Sequence, residues 1–149
     1  MRVSRFIHAP RHAVYLAFLD PEAISAWMAP DTMRGHVHQF EARAGGVFRV
    51  SLRYQNPEDA GRGKSSGDTD TYHGRFVELV PDEKIVEAIE FETNDPGMMG
   101  EMTLTVLLAE VAGGTEVTMI YDHLPSGVRP EDNEIGTRES LAKLAAYLE

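Results

Sequence analysis

Residues 130–149 read PEDNEIGTRESLAKLAAYLE and form the longest helical pattern in the chain. Apolar side chains recur along it at i, i+3, i+4 and i+7, namely at Leu141, Leu144, Ala145 and Leu148. Pro130 suits the first position of a helix, where a missing N–H costs little, and acidic residues follow where the helix dipole favours anions. The stretch therefore predicts a long terminal helix with one face on an apolar partner.

The first half of this helix lacks a continuous apolar stripe. Gly136, Thr137 and Ser140 place small or polar groups where large apolar side chains would otherwise pack. The second half, with Leu141, Leu144 and Leu148, is expected to clamp the helix onto its partner. The contrast between the two halves predicts a cavity, and its opening, beside the first half.

Strand patterns occupy most of the chain before the helix. From His36 onward apolar and polar residues alternate, and Gly45 and Gly46 separate two such runs as a hairpin turn. The second run has one apolar face, which we expect to point inward and which consists of Phe48, Val50, Leu52 and Tyr54. This first hairpin supplies part of a sheet with one interior face.

Two further hairpins follow. One joins residues 71–80 to 84–93, and the other joins residues 101–111 to 115–124. A short strand over 2–8 and two short helices ending at Pro30 precede the hairpins, and a polar stretch over 56–70 predicts a mobile loop. The pattern predicts an α+β fold, in which a curved antiparallel sheet of about six to seven strands, with two short helices, lies under the long C-terminal helix.

The composition of the chain limits the kinds of function that it can have. The chain has 149 residues, 42% of them hydrophobic, no cysteine and a formal net charge of −10. These values predict a single domain over residues 1–149 and argue against a nucleic-acid partner, which needs clustered Lys and Arg. No apolar run approaches the ~18 residues that span a bilayer, so no membrane insertion is expected. A cytoplasmic location is the simplest interpretation.

Several motifs, taken in order, carry a family resemblance. They are PRHAVYLAFLDPEAISAW at 10–27, GGVFR at 45–49, GRF at 74–76 leading to VPDEKI at 80–85, GGTEV at 113–117, and LxxLxxYL at 141–148. Together they resemble the START-like (SRPBCC) superfamily, and more narrowly its branch related to the C-terminal domain of the activator of Hsp90 ATPase. The resemblance implies the helix-grip fold, in which the terminal helix closes a pocket over the sheet.

The resemblance is less informative about activity. Relatives include lipid and polyketide binders, hormone receptors, polyketide cyclases, resistance proteins and co-chaperone domains, and a shared fold does not fix function. Many members of the branch carry a tryptophan after the glycine of the terminal helix, where this chain has Gly136 and Thr137. This departure predicts a larger or more polar pocket. The separate N-terminal domain of the eukaryotic co-chaperone does not occur in this sequence, which weakens an Hsp90-activating function.

The histidines are the first candidates for chemistry. His36 and His38 share a strand face and could bind a metal together with His123, but the sequence offers no further ligand. A second option is that His73 or His123 acts as a general base beside Tyr72 or Tyr121. Nucleophile elbows, phosphate loops and dinucleotide fingerprints do not occur in the sequence. We therefore predict no metal, no cofactor and no assigned catalytic residue.

Glu87 is the most unusual residue of the predicted inner face. If Ile89 and Phe91 point inward, Glu87 shares their face, and a buried carboxylate is costly unless it is paired. Arg49, Arg53 or Arg75 could be its partner if the register is off by one.

The sequence predicts a ligand pocket lined by aromatic, methionine and small polar side chains. The predicted ligand-binding residues are Trp27, Met28, Phe48, Val50, Leu52, Tyr54, Tyr72, Phe76, Glu87, Ile89, Phe91, Met102, Leu104, Met119, Tyr121, Thr137, Ser140, Leu141 and Leu144. Residues 94–100, NDPGMMG, are either a lid over this pocket or a loop anchored by Met98 or Met99.

Three functional hypotheses follow. The leading one is a binding protein for a small, largely apolar ligand such as a lipid, polyketide or aromatic metabolite. The second is a cyclase-like or dehydratase-like enzyme that uses a pocket His, Tyr or Glu as acid or base. The third is a co-chaperone or stress-response interaction protein, and a homodimer and a chaperone remain open as partners.

Overall fold

The computed structural model describes residues 1–56, 58 and 61–149. Its strands are β1 (Arg2–Ile7), β2 (Met33–Phe40), β3 (Val47–Tyr54), β4 (Thr69–Val80), β5 (Lys84–Phe91), β6 (Met102–Val111) and β7 (Gly114–Asp122). Its α-helices are α1 (Arg11–Leu19), α2 (Pro21–Trp27) and α3 (Pro130–Leu148). A short 3-10 turn covers Pro96–Met98. Of the loop predicted over 56–70, residues 57, 59 and 60 lie outside the described residues.

Within the described residues the strands form one seven-stranded antiparallel sheet in the order β1-β7-β6-β5-β4-β3-β2. All hairpins predicted from the sequence pair as neighbours, and β1 pairs with β7, which leaves β1 and β2 at opposite edges. Helices α1 and α2 carry the chain between these two edges. The sheet is curled and α3 lies across its concave face, which confirms the predicted α+β helix-grip fold.

Two tight turns show why the hairpins close where they do. Asp82 and Gly113 have positive φ values of 65° and 84°, in the left-handed region that glycine and short polar residues tolerate best. Asp82 lies in the turn between β4 and β5, and Gly113 in the turn between β6 and β7. These turns fix the register of the β4–β5 and β6–β7 hairpins, and that register determines which residues of neighbouring strands face inward side by side.

The two short helices pack through Trp27. Asp20 caps α2 by accepting a hydrogen bond from the Glu22 N–H at 3.0 Å. The Trp27 indole N–H donates to the Ala17 carbonyl at 3.0 Å, and its ring meets Phe18 edge-on at 4.7 Å. Trp27 is fully buried, so its side chain joins α1 to α2 within the core.

Helix α3 has two halves, as the sequence predicts. Leu141, Leu144 and Ala145 are buried in the core cluster, and the helix packs on α1, α2 and β1. In the first half, Ser140 Oγ donates to the Met28 carbonyl at 2.6 Å, which ties the helix to the end of α2. This half is therefore fixed by a polar contact while the second half is fixed by apolar packing.

Candidate functional site

A cavity of about 520 Å³ lies between the first half of α3 and the concave face of the sheet. Its floor comes from strands β2 to β7, and its roof comes from α3 and the segment before it. Its solvent end contains lining residues that are exposed, including Arg62, Arg129, Asp132 and Ile135. The cavity has the size range of small-molecule sites, which is roughly 300–1,000 Å³.

Most of the residues predicted to bind a ligand line this cavity. They are Met28, Leu52, Tyr54, Tyr72, Glu87, Ile89, Phe91, Met102, Leu104, Met119, Tyr121, Thr137 and Ser140. Gly136 also lines it, beside Thr137, where the missing tryptophan predicts a larger or more polar pocket.

The remaining predicted residues lie in the packed core and do not line the cavity: Trp27, Phe48, Val50, Phe76, Leu141 and Leu144. The rings of Phe48 and Phe76 pack on each other at 5.1 Å, and Phe40 adds an edge contact to Phe76 at 5.6 Å. Strand alternation places Phe48, Val50 and Phe76 on the inner face correctly, but neighbouring side chains fill the space above them. Contrary to the prediction that they line the pocket, these six residues belong to the core beside the cavity.

Glu87 projects from β5 toward the cavity. It pairs with Phe76 on β4 and with Leu104 on β6, so it shares the inner face with Ile89, and its residue is 7% exposed. In the described part of the chain its carboxyl has no hydrogen-bond or ion-pair partner. Burial alone raises the pKa of Glu87 from 4.5 to about 8. The carboxyl is therefore mainly protonated at neutral pH.

The arginines predicted as partners of Glu87 lie on the outer face of the sheet. Arg49 pairs with Glu92 at 2.8 Å, Arg53 with Asp68 at 2.9 Å and Arg75 with Glu101 at 2.9 Å. The predicted register, with Glu87 inside, is right, and the off-by-one alternative that would have paired Glu87 with an arginine is wrong.

Two tyrosines accompany Glu87. Burial, and then the charge of Glu87, raise the pKa of the Tyr72 phenol well above its usual range. The same two causes, in the same order, raise the pKa of Tyr121, while a hydrogen bond with the Thr137 side chain opposes that shift. The inner end of the cavity thus holds a carboxyl and two phenols that all favour their protonated forms.

A partly buried ion pair between Lys64 and Asp70 lies at the other end of the cavity and was not anticipated from the sequence. Lys64 Nζ contacts an Asp70 carboxylate oxygen at 2.8 Å, and the Lys64 N–H donates to the second oxygen at 2.6 Å. The Lys64 ammonium also lies 5.1 Å from the centre of the Phe91 ring. This contact fixes the described end of the 56–70 loop against the cavity wall.

Some lining residues lie outside the predicted ligand-binding set. Asn133, on the first turn of α3, has a buried side-chain Nδ2 without a partner among the described residues. Met98 lines the cavity while Met99 is exposed, so the 94–100 segment contributes one methionine to the wall. The sequence around Asn133 is mixed and polar and has no periodicity that indicates an inward-facing side chain. The contact of Asn133 with the cavity depends on where the helix lies over the sheet.

The histidines lie elsewhere. Among the described residues none of them lines the cavity, and no cluster of three metal-ligating side chains occurs. His73 faces the outer surface, where Nδ1 is 3.2 Å from Glu92, and His123 is exposed. His36 and His38 contact each other on the same outer face. The hypothesis of a histidine general base beside Tyr72 or Tyr121 is therefore wrong.

The described residues contain no helix that is long and apolar enough to cross a membrane. No curated protein shows significant similarity to the chain.

Solved structures share the fold. A protein of Chromobacterium violaceum is 32% identical, with a TM-score of 0.88 over 100% of this chain and 96% of that one. A protein of Mycobacterium smegmatis is 14% identical, with a TM-score of 0.78 over 99% of this chain and 89% of that one. A protein of the dynemicin biosynthetic locus is 21% identical, with a TM-score of 0.68 over 99% of this chain and 46% of that one.

The family comparison agrees with the fold and with the motifs. The model for activator of Hsp90 ATPase homolog 1-like proteins matches residues 8–149, which include all three helices and strands β2 to β7 and leave out only β1 among the described strands. The resemblance to the START-like superfamily is thereby confirmed, and the chain belongs to the activator of Hsp90 ATPase homolog 1-like family.

Proposed function

We propose that this protein binds a small, largely apolar molecule in the cavity between α3 and the sheet. The observation that carries the proposal is a cavity of about 520 Å³ with mostly apolar and aromatic walls and, inside it, the buried carboxyl of Glu87, which has no partner among the described residues. Ligand sites typically combine such walls with a few polar groups that fix orientation. The residues that we expect to contact a ligand are the predicted ones that line the cavity.

Thermal unfolding against a panel of apolar and aromatic metabolites tests the proposal. A ligand that binds only the folded state raises the unfolding temperature, and the stabilisation grows with the logarithm of the ratio of ligand concentration to Kd. Gly136→Phe is designed to fill the cavity beside Thr137, and Gly136→Ala is the matched control that adds a methyl group. A shift in wild type and Gly136→Ala but not in Gly136→Phe supports the cavity as the site, and no shift with any compound contradicts it.

A second candidate function is acid–base catalysis on the bound molecule. It is favoured by Glu87, whose raised pKa of about 8 suits a group that exchanges protons near neutral pH, and by the neighbouring phenols of Tyr72 and Tyr121. Mass spectrometry of a binding compound after incubation separates the two functions. Recovery of the compound unchanged favours binding alone, and conversion that Glu87→Gln abolishes favours catalysis.

We also propose that residues 1–149 form a single domain. In support, one cluster of buried apolar residues includes Val3 on β1, Trp27 on α2, Leu104 on β6 and Ala145 on α3. A chaperone partner, a homodimer and a cytoplasmic location stay predictions.

A further inference from the structure

We propose that the cavity selects an organic cation: a primary or secondary amine with an apolar body, whose ammonium group pairs with the Glu87 carboxylate. This inference rests on the proposed binding function and names the ligand class. Its basis is geometric, because Glu87 is 7% exposed, lies on the inner face of β5 and has no partner in the described part of the chain. An ammonium ion supplies the missing partner.

The surroundings of Glu87 favour a cation over a neutral group. A neutral ligand gains one ordinary hydrogen bond from the protonated carboxyl, whereas an ammonium gains a charge-assisted bond in a poorly solvated site, where charge pairs interact more strongly. Tyr72 and Tyr121 line the same cavity, close enough for the charge of Glu87 to raise the pKa of both phenols, and aromatic faces attract cations. The phenol oxygens are additional acceptors for ammonium protons.

The cavity already contains one arrangement of this kind. At its outer end the Lys64 ammonium lies 2.8 Å from an Asp70 carboxylate oxygen and 5.1 Å from the centre of the Phe91 ring. Asp70 is 4% exposed, so the pair shows that an ammonium, a buried carboxylate and an aromatic ring fit together in this wall. An amine ligand would form the corresponding arrangement at Glu87.

The positively charged side chains that line the cavity interact with groups other than Glu87. Lys64 is committed to Asp70, Arg129 lies 3.8 Å from Glu131, and the Arg62 guanidinium lies over the Tyr54 ring. Helix α3 contributes the acidic residues Asp132 and Glu139, and the chain carries a net charge of −10, which favours the approach of cations.

The inference has a characteristic pH dependence. In the free protein the Glu87 pKa is about 8, and pairing with an ammonium requires the carboxylate, so binding releases a proton below that pH. Affinity for an amine should rise about tenfold per pH unit from pH 6 toward pH 8 and then level off, because alkylammonium groups stay protonated to about pH 10. No histidine among the described residues lines the cavity, and the raised pKa values of Tyr72 and Tyr121 keep both phenols neutral in this range.

Isothermal titration calorimetry with matched pairs tests the inference: phenethylamine against 2-phenylethanol, and hexylamine against hexanol. Each pair is measured at about pH 6, 7 and 8 in buffers of different ionisation enthalpy, which report the released proton. Glu87→Gln removes the charge with little change in shape, and Glu90→Gln on the outer face of the same strand is the control.

The inference predicts that the amines bind more tightly than the alcohols, that their affinity increases with pH, and that their binding releases a proton. It also predicts that this preference for amines is lost in Glu87→Gln but not in Glu90→Gln. Alcohols that bind as well as the amines, with no proton release, overturn it and leave the proposed binding function standing. Failure of all four compounds also overturns it, and the metabolite panel then decides the binding function separately. The pH dependence of wild-type protein is decisive by itself if Glu87→Gln does not fold.

Discussion

Glu87 and Tyr121 lie in one cross-strand row of the sheet, on either side of Leu104, and the charge of Glu87 adds to burial in raising the pKa of the Tyr121 phenol. Tyr72 is affected in the same way. Burial disfavours ionisation of all three groups, and the charge of Glu87 further disfavours ionisation of both phenols, so this part of the cavity is most stable when all three are protonated. The protein therefore contains an inner surface whose energy depends on pH.

Stability should fall as pH rises through the titration of Glu87. Its pKa is about 8 in the folded protein and near 4.5 when unfolded, so the unfolded state releases the proton first and the folded state binds more protons between these values. The stability that the raised pKa of Glu87 contributes is fully present below about pH 4.5 and is lost as pH rises through about 8. The upper limit of this contribution is about 5 kcal/mol. Urea unfolding at about pH 5, 7 and 9 measures it.

Glu87→Gln isolates this effect from the other carboxylates. The variant should match wild type near pH 5 and exceed it in free energy of unfolding near pH 9, because glutamine cannot ionise. Glu90→Gln, on the opposite face of β5, should follow the wild-type profile. Parallel profiles for wild type and Glu87→Gln would show that the carboxyl reaches solvent and titrates normally.

Strand alternation was sufficient to predict the inner face. Glu87, Ile89 and Phe91 follow one another at every second position, and the structure places all three on the cavity wall. Alternation does not report how far an inner side chain lies from α3, so Phe48 and Phe76 could not be distinguished from wall residues. That distinction depends on where the curled sheet approaches the helices, which only the tertiary structure fixes.

The polar residues of the outer end were missed for a different reason. Lys64 and Asp70 lie in a stretch of turn-forming residues, where no periodicity indicates which side chains turn inward. Their pairing depends on the chain folding back so that Lys64 reaches the first residues of β4. Sequence spacing alone allows this pairing but does not require it.

The Lys64–Asp70 pair should contribute more to stability than the exposed Arg53–Asp68 pair. The Asp70 side chain is 5% exposed, so Lys64→Met leaves a buried carboxylate without its counter-ion and should lower the free energy of unfolding by about 2–4 kcal/mol. Asp70→Asn should cost less, because the Lys64 side chain, 22% exposed, can reach water. Urea unfolding of both single variants and the double variant gives the coupling energy.

Asp68→Asn is the control for the Lys64–Asp70 variants, because Arg53, the partner of Asp68, is 72% exposed and the Arg53–Asp68 pair is screened by solvent. We expect Asp68→Asn to lower the free energy of unfolding clearly less than Lys64→Met or Asp70→Asn does. Additive costs for Lys64→Met and Asp70→Asn would mean that the two side chains do not interact in solution.

Two glycines beside the cavity should respond to alanine in opposite ways. Gly136 lies inside α3, and an added Cβ would meet only the Pro30 Cγ at 3.5 Å, so Gly136→Ala should stabilise the protein by about 0.5–1 kcal/mol through helix propensity. A Cβ at Gly127 would lie 2.7 Å from the Gly97 carbonyl oxygen, so Gly127→Ala should cost about 1–3 kcal/mol. Chemical denaturation of both variants checks the signs, and equal effects would contradict the packing described here.

A substitution in the core, Leu144→Ala, should lower stability, whereas a substitution in the cavity wall, Tyr72→Phe, should leave stability nearly unchanged. Leu144 is fully buried in the core cluster, so Leu144→Ala should lower the free energy of unfolding by about 2–5 kcal/mol. The Tyr72 hydroxyl has no hydrogen-bond partner in the described part of the chain, so Tyr72→Phe leaves no group unsatisfied and should change stability by about 0.5 kcal/mol or less. Unfolding in urea measures both variants, and the thermal shift given by a bound compound measures the effect on the cavity. A large loss of stability in Tyr72→Phe would mean that the phenol is part of the packed core, and the inner end of the cavity would then be smaller than described.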